Sequence, residues 1–260
     1  MSLTYQKLPD PVLRTWEVNE TNTRYEYYQA QPSDNALRIQ FIVLASTNAL
    51  VAVATSILIY SVVKSAHLRV NPFNWYLVFI TVPDFVMSFC CLFTCALSAP
   101  IEEFYSEWMC SFQSMFLTFG LCANCWMNFF IVFEVHKLLR HSNYRRRYTP
   151  PKRTTVMKQA FGVYLYAIVW GLLGIFRIDW LPLSTSLWYG FYCFPQEYDL
   201  ASTLFFWLVL VPAIMGIPIF YVTYVCFDIW KRNLLPPQGR RRNLAIFFVR
   251  LICVYFIMWA

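Results

Sequence analysis

The stretch between Arg38 and Lys64 contains no charged residue. A hydrocarbon layer about 30 Å thick is crossed by about 20 mostly apolar residues in helical form, so this one segment already restricts the chain to a short list of folds. Others of the same kind follow: Pro72 to Ser98 with Asp84 as its only charge, Trp108 to Phe133 closing on Glu134, Gln159 to Phe176, and Leu200 to Phe227. A sixth begins near Asn243, contains Arg250 and reaches Ala260, where the sequence stops before that helix finishes. In lipid each must be helical, because no water is at hand to satisfy its backbone N–H and C=O groups. Pro83, Pro212 and Pro218 fall inside these segments, which membrane helices tolerate where neighbours pick up the freed carbonyls. The expectation is an all-α membrane bundle over residues 38–260, preceded by a polar arm over residues 1–37.

Composition agrees. The chain is 58% hydrophobic and only 13% charged, against about 45–50% and about 25% for soluble domains. That argues against a disordered chain, a disulfide-dense secreted module or an ordinary soluble enzyme. A net charge of +7 raises nucleic acid as a partner, but no aromatic platform accompanies the basic residues. They are instead sorted by loop. Lys64 and Arg69 follow the first segment. Lys137, Arg140, Arg145, Arg146, Arg147, Lys152, Arg153 and Lys158 follow the third, and Lys231, Arg232, Arg240, Arg241 and Arg242 follow the fifth. The loop after the second has Glu102, Glu103 and Glu107 and no cation, and the loop after the fourth sets Arg177 against Asp179, Glu197 and Asp199. Positive loops stay cytoplasmic, so the arm is expected outside a multi-pass protein, with the plasma membrane as its expected site. The arm holds one glycosylation triplet, Asn19-Glu20-Thr21, a weak signal by itself.

The polar residues inside these segments follow an order. Asn48 opens an Asn-x-x-Val step in the first span, and Asp84 lies in the second. Cys110 opens the third, Trp170 lies in the fourth, and Cys193 precedes the fifth. This succession resembles the G protein-coupled receptors, in their rhodopsin-like pattern. Within the third span Thr118-Phe119-Gly120 and the following Trp126 look closer to the cyclic-AMP chemoattractant receptor branch. The resemblance covers about residues 39–260 and implies a seven-helix receptor bundle of which this sequence is a piece, truncated within helix six. One departure is plain: where rhodopsin-like receptors carry Asp/Glu-Arg-Tyr, this chain has Glu134-Val135-His136, without the arginine that family uses to hold its resting state.

The resemblance implies a set of roles. Cys110 and Cys193, both at the outer face in an oxidising compartment, are expected to form a disulfide that ties the outer loop over the bundle; two unpaired thiols are the alternative. Asp84 is expected in a cation or water network that changes between states, with Asn48, Asn124 and Asn128 as partners. A protonated packing carboxyl, and asparagines that only glue helices, are the plainer readings. Glu134, His136, Pro212, Pro218 and Trp259 are the expected switch residues, and Arg145–Arg147 with Arg240–Arg242 the surface for a heterotrimeric G protein. The remaining cysteines at membrane depth read as small apolar packing groups. Cys122 and Cys125 form a C-x-x-C, but no histidine on their span completes a metal site. His67, His136 and His141 read as solvated loop residues.

The function so implied is a receptor that passes an extracellular ligand signal to a G protein by helix rearrangement, without catalytic residues, metal or cofactor. A transporter or channel is the chief rival, although no internal repeat accompanies Asp84. A retinal photoreceptor is the second, its lysine belonging on a seventh helix.

Overall fold

The computed structural model describes residues 34–101, 107–143, 148–173, 175, 186–188, 192–195, 200–232, 234 and 246. Five of its helical stretches are long and apolar enough to cross a bilayer: Asn35–Lys64, Pro72–Ser98, Trp108–His141, Arg153–Leu173 and Leu200–Lys231. Local chemistry sets several ends. The first helix, α1 (Asp34–Lys64), stops before Ser65, whose hydroxyl caps a short helical turn, α2 (Ala66–Val70), by accepting from the Leu68 N–H. Asn71 caps α3 (Pro72–Ser98) by accepting from the Phe73 N–H at 3.1 Å, and Pro72 occupies the first turn, where its missing N–H costs nothing.

The next helix, α4 (Glu107–Asn143), is the most enclosed and forms the axis of the bundle. Around it pack α3, α5 (Arg153–Leu173) and the fifth span, while α1 lies outside against α3. The fifth span opens with α6 (Leu200–Phe205), passes through two π-helical turns at Phe206–Leu210 and Pro212–Gly216, and ends in α7 (Ile217–Lys231). A short antiparallel hairpin, β1 (Ser186–Trp188) with β2 (Tyr192–Phe194), pairs Leu187 with Cys193 and lies against α4.

The sides are turned inside out relative to a water-soluble domain. Leu50, Phe161, Trp207, Leu208, Phe220 and Trp230 point outward, whereas Ser88, Thr94, Gln113, Ser114, Asn124, Asn128, Glu134, His136 and Asp228 are buried. In lipid the outer face gains nothing from being polar, and each polar group is cheapest where another helix can answer it. The chain is a multi-pass membrane protein of helical architecture.

The element ends correct the sequence reading in three places. The third span continues ten residues past Phe133 to Asn143, the fourth begins at Arg153 rather than Gln159, and the fifth runs to Lys231. Each extension carries charged residues, because a helix need not stop where the hydrocarbon does. The expected sixth segment from Asn243, apart from Ile246, and the arm apart from its last residues, lie outside the described residues, so the seven-helix count stays an expectation.

Candidate functional site

At the end of the bundle opposite the turn over Ser65–Val70, Cys110 and Cys193 are joined by a disulfide with Cα atoms 5.4 Å apart, closing a separation of 83 residues. One turn along α4, the buried Gln113 accepts the Cys193 backbone N–H at 2.8 Å. The hairpin is thus held to α4 by a covalent bond and by a hydrogen bond that sequence inspection gave no reason to expect. Ser114 next to it keeps a buried hydroxyl with no protein partner.

Midway, Asn124 on α4 donates to Asp84 on α3 at 2.6 Å, and Asn128 donates to the Asn124 carbonyl at 3.0 Å. The amide oxygens of both asparagines are buried and unpartnered. Asp84, Asn124 and Asn128 therefore stand together in one hydrogen-bonded chain. Asn48 does not join them directly: its amide donates to the Leu44 carbonyl at 2.8 Å and to Cys91 Sγ at 3.4 Å. Its position on α1 faces the Cys91–Cys95 pair, whose sulfurs are 3.7 Å apart. The oxygens of Asp84, Asn124 and Asn128 are of the hard type that takes a small hard cation or water. Among the described residues no cluster of three or more His, Cys, Asp or Glu stands ready for a transition metal.

Both proline-bearing spans leave a carbonyl free, and both are answered from other helices. Pro83 lacks the N–H that would bond to Phe79, four residues back, and the Tyr164 hydroxyl of α5 donates to that carbonyl. In the fifth span the π register bonds each N–H five residues back, as the Ile217 N–H to the Pro212 carbonyl. The next bond would run from residue 218 to Ala213, but residue 218 is proline. The Ala213 carbonyl accepts instead from Trp126 Nε1 at 3.2 Å and from the Tyr166 hydroxyl at 3.1 Å. Spans three, four and five meet at this one oxygen.

At the basic end, Glu134 is buried and accepts from the Tyr148 hydroxyl at 3.0 Å. Burial, then the Glu134 carboxylate beside it, pushes the Tyr148 hydroxyl up, so it remains a neutral donor. Tyr76 on α3 donates to Gln159 on α5, and Arg153 lies 4.0 Å over the Trp75 ring. The reading of His136 as a solvated residue is corrected here: it is buried on α4, with Nε2 2.9 Å from Asp228 Oδ2 on α7. Arg232 Nε takes the other carboxylate oxygen at 2.6 Å. His67 and the end of α4 at His141 are more open, and His141 Nδ1 lies 2.8 Å from the Lys137 carbonyl.

In fold the chain is similar to squid rhodopsin. The crystal structure of that protein matches with a TM-score of 0.63 at 14% sequence identity, over 77% of this chain and 57% of that one. The chain therefore spans a little over half the length of that rhodopsin. No protein-family model matches the sequence, and no curated protein matches it. The likeness is one of fold, a rhodopsin-like helical bundle, and a shared fold does not by itself assign an activity.

Against that rhodopsin-like frame, the two cysteines are brought together, as are Asp84, Asn124 and Asn128, while Glu134 and His136 belong to two separate contacts at the basic end. Pro212 starts the second π turn, and buried Pro218 follows it. Asn19, Arg145, Arg146, Arg147, Arg240, Arg241, Arg242 and Trp259 lie outside the described residues. Tyr148 and Asp228 were missed. Asp228 follows directly on the apolar run that ends at Phe227, and its spacing of four from Arg232 was the available signal.

Proposed function

We propose that the chain is a G protein-coupled receptor that converts binding of an extracellular ligand into a rearrangement read by a heterotrimeric G protein. The observation that carries this reading is the run of buried polar groups down α4, from Gln113 and Ser114 through Asn124 and Asn128 to Glu134 and His136, inside a rhodopsin-like bundle. Buried polar groups in lipid are expensive and face a bundle interior or a cavity. Here they link the disulfide-tied mouth to the basic end along one helix. A ligand at the mouth shifts the equilibrium by as much as its affinities for the two arrangements differ. In this reading the N-terminal arm is extracellular, Asn19 is a glycosylation site, and Arg145–Arg147 and Arg240–Arg242 meet the G protein. Trp259 is, in the same reading, a switch residue of the sixth segment.

Asp84, with the unpartnered oxygens of Asn124 and Asn128, is proposed to hold a small cation or ordered water that differs between states. Asn48 acts on it only through α3. The closer kinship to the cyclic-AMP branch rests on sequence alone. Gly120 and Trp126, two of its residues, each have a packing reason of their own: close contact with Met87, and the bond to Ala213.

The test is guanine-nucleotide exchange by the full-length protein in membranes, assayed with a panel of G proteins. Basal or stimulated exchange supports the reading. Solute flux without exchange on any G protein overturns it in favour of a transporter. Asp84→Asn is expected to remove any stabilisation by sodium over choline, read as a melting-temperature shift; an unchanged sodium response rejects the cation site.

A further inference from the structure

We propose that His136 and Asp228 form a charged latch that holds the basic ends of α4 and α7 together, and that its opening is a step in the rearrangement. The inference deepens the receptor reading and rests on it for its functional meaning. The pair spans two transmembrane elements, is 2.9 Å long, and leaves each side chain only 8% exposed. Both carboxylate oxygens are engaged, one by His136 and one by Arg232, whose side chain is half open at 49%. The edge of the Tyr224 ring closes the side of the His136 ring, with centroids 6.4 Å apart. Glu134, the nearest other carboxylate on α4, is bonded to Tyr148, and Lys137 and Arg140 point outward. Asp228 is therefore the acid that answers His136. A charge held this way is stable while its partner is present and costly to bury once the partner is gone.

The rest of α7 makes the contact a sensitive one. Directly before it lies the joint at Ala213 in the second π turn, where π-helical geometry and Pro218 have interrupted the backbone ladder. π-helical turns often mark functional sites in helices. From Ile217 to Asp228 the helix rises about 16 Å at about 1.5 Å per residue. On that lever a tilt of roughly 10° at the joint moves Asp228 by about 3 Å, enough to break the bond to His136. Arg232 caps the same helix, four residues on, with its backbone N–H bonded to the Asp228 carbonyl, and moves with Asp228, so the carboxylate keeps a cation when the latch opens. That asymmetry distinguishes a latch from a static ion pair: opening exchanges one of two partners and does not strand the charge.

The experiment uses the full-length protein in nanodiscs with spin labels on noncanonical residues at Arg140 and Trp230, both exposed at the basic end. Inter-label distances and basal nucleotide exchange are read in parallel. His136→Gln and Asp228→Asn are each expected to broaden the distance distribution to longer values by several ångströms and to raise basal exchange at least threefold. The double variant should do no more than either single one. The exchanged pair, His136→Asp with Asp228→His, should restore the short distance, which a loss of general stability would not. Arg232→Ala, at an open position, tests the pair where a core variant fails to fold, and is expected to act in the opposite direction, with shorter distances and lower basal exchange, because opening would then strand the Asp228 carboxylate. Unchanged distances in the single variants, or additive effects in the double, overturn the latch. Longer distances with basal exchange present but unchanged keep the contact and reject its opening as a step in the rearrangement, whereas longer distances with no exchange in any variant or in the unmodified chain keep the latch and reject the receptor reading.

Discussion

Gly171 lies where α5 comes closest to α4. A Cβ built there would sit 2.9 Å from the Met115 carbonyl oxygen and 3.2 Å from its Cγ. The obstacle is backbone, which cannot rotate away, so Gly171→Ala must push the helices apart. Overpacking of this kind costs about 1–3 kcal/mol. Gly162, on the same helix, has nothing within 4 Å, and Gly162→Ala should gain about 0.5–1 kcal/mol from helix propensity alone. Thermal unfolding of the two variants in one detergent is expected to move the midpoint in opposite directions. Gly120 differs from both: its Cβ would meet the Met87 thioether, a flexible side chain, so Gly120→Ala should be largely rescued by Met87→Ala. At this scale the sequence was legible where charge or sulfur singled a residue out, as with Asp84 and the two cysteines. It was opaque where environment depended on how far a helix continued. His136 lies three residues past the apolar run that ends at Phe133, and it is buried only because α4 keeps its helical course beside α7. Asn48 meets α3 at Cys91, seven residues and so about 10 Å along that helix from Asp84, because the facing positions of two packed helices depend on their axial offset.

Among elements, the prolines carry the argument. Each removes a backbone donor, and in lipid the carbonyl so released has no water to turn to. Tyr164 answers Phe79, and Trp126 with Tyr166 answers Ala213. If Tyr164 is present for that reason, its value should depend on Pro83. Tyr164→Phe is expected to cost about 0.6–1.7 kcal/mol, the span measured for interhelical hydrogen bonds in membranes. In a Pro83→Ala background the new N–H reoccupies the Phe79 carbonyl, and Tyr164→Phe should then cost little. A double-mutant cycle by reversible unfolding in mixed micelles measures this coupling. A coupling near zero would mean that Tyr164 is held by ring packing against Phe79 and Phe119 instead. Span existence and order followed directly from the apolar runs. The π turns did not, because no composition distinguishes a five-residue from a four-residue hydrogen-bond register. The nearest clue was the pair Pro212 and Pro218, spaced so that one helical register leaves Ala213 without a donor.

For the whole molecule, the distribution of charge and the position of the disulfide lead to a joint prediction. The described basic residues at helix ends, Lys64, Arg69, Arg140, Arg153 and Lys231, lie at one end of the bundle, and the Cys110–Cys193 bridge lies at the other. If the basic end is cytoplasmic, the bridge faces the oxidising side, where a disulfide persists. Cysteines placed at exposed Ile101 and exposed Arg140 should then behave oppositely in intact cells. Ile101→Cys should react with an impermeant maleimide at once, and Arg140→Cys only after permeabilisation, with the unmodified chain as blank. Impermeant reductant added outside should open the bridge in the same cells. Opening it removes a constraint over 83 residues, about 4–5 kcal/mol if the unfolded chain were a free coil. Helices that persist in the unfolded state within lipid leave far fewer free joints, so the measured loss should fall well short of that figure. The Gln113 bond to the Cys193 N–H should keep the hairpin partly docked, and Gln113→Ala in the reduced protein should release it. Reaction of Arg140→Cys from outside, with the bridge inaccessible there, would invert the bundle and take the proposed ligand mouth and G-protein face with it.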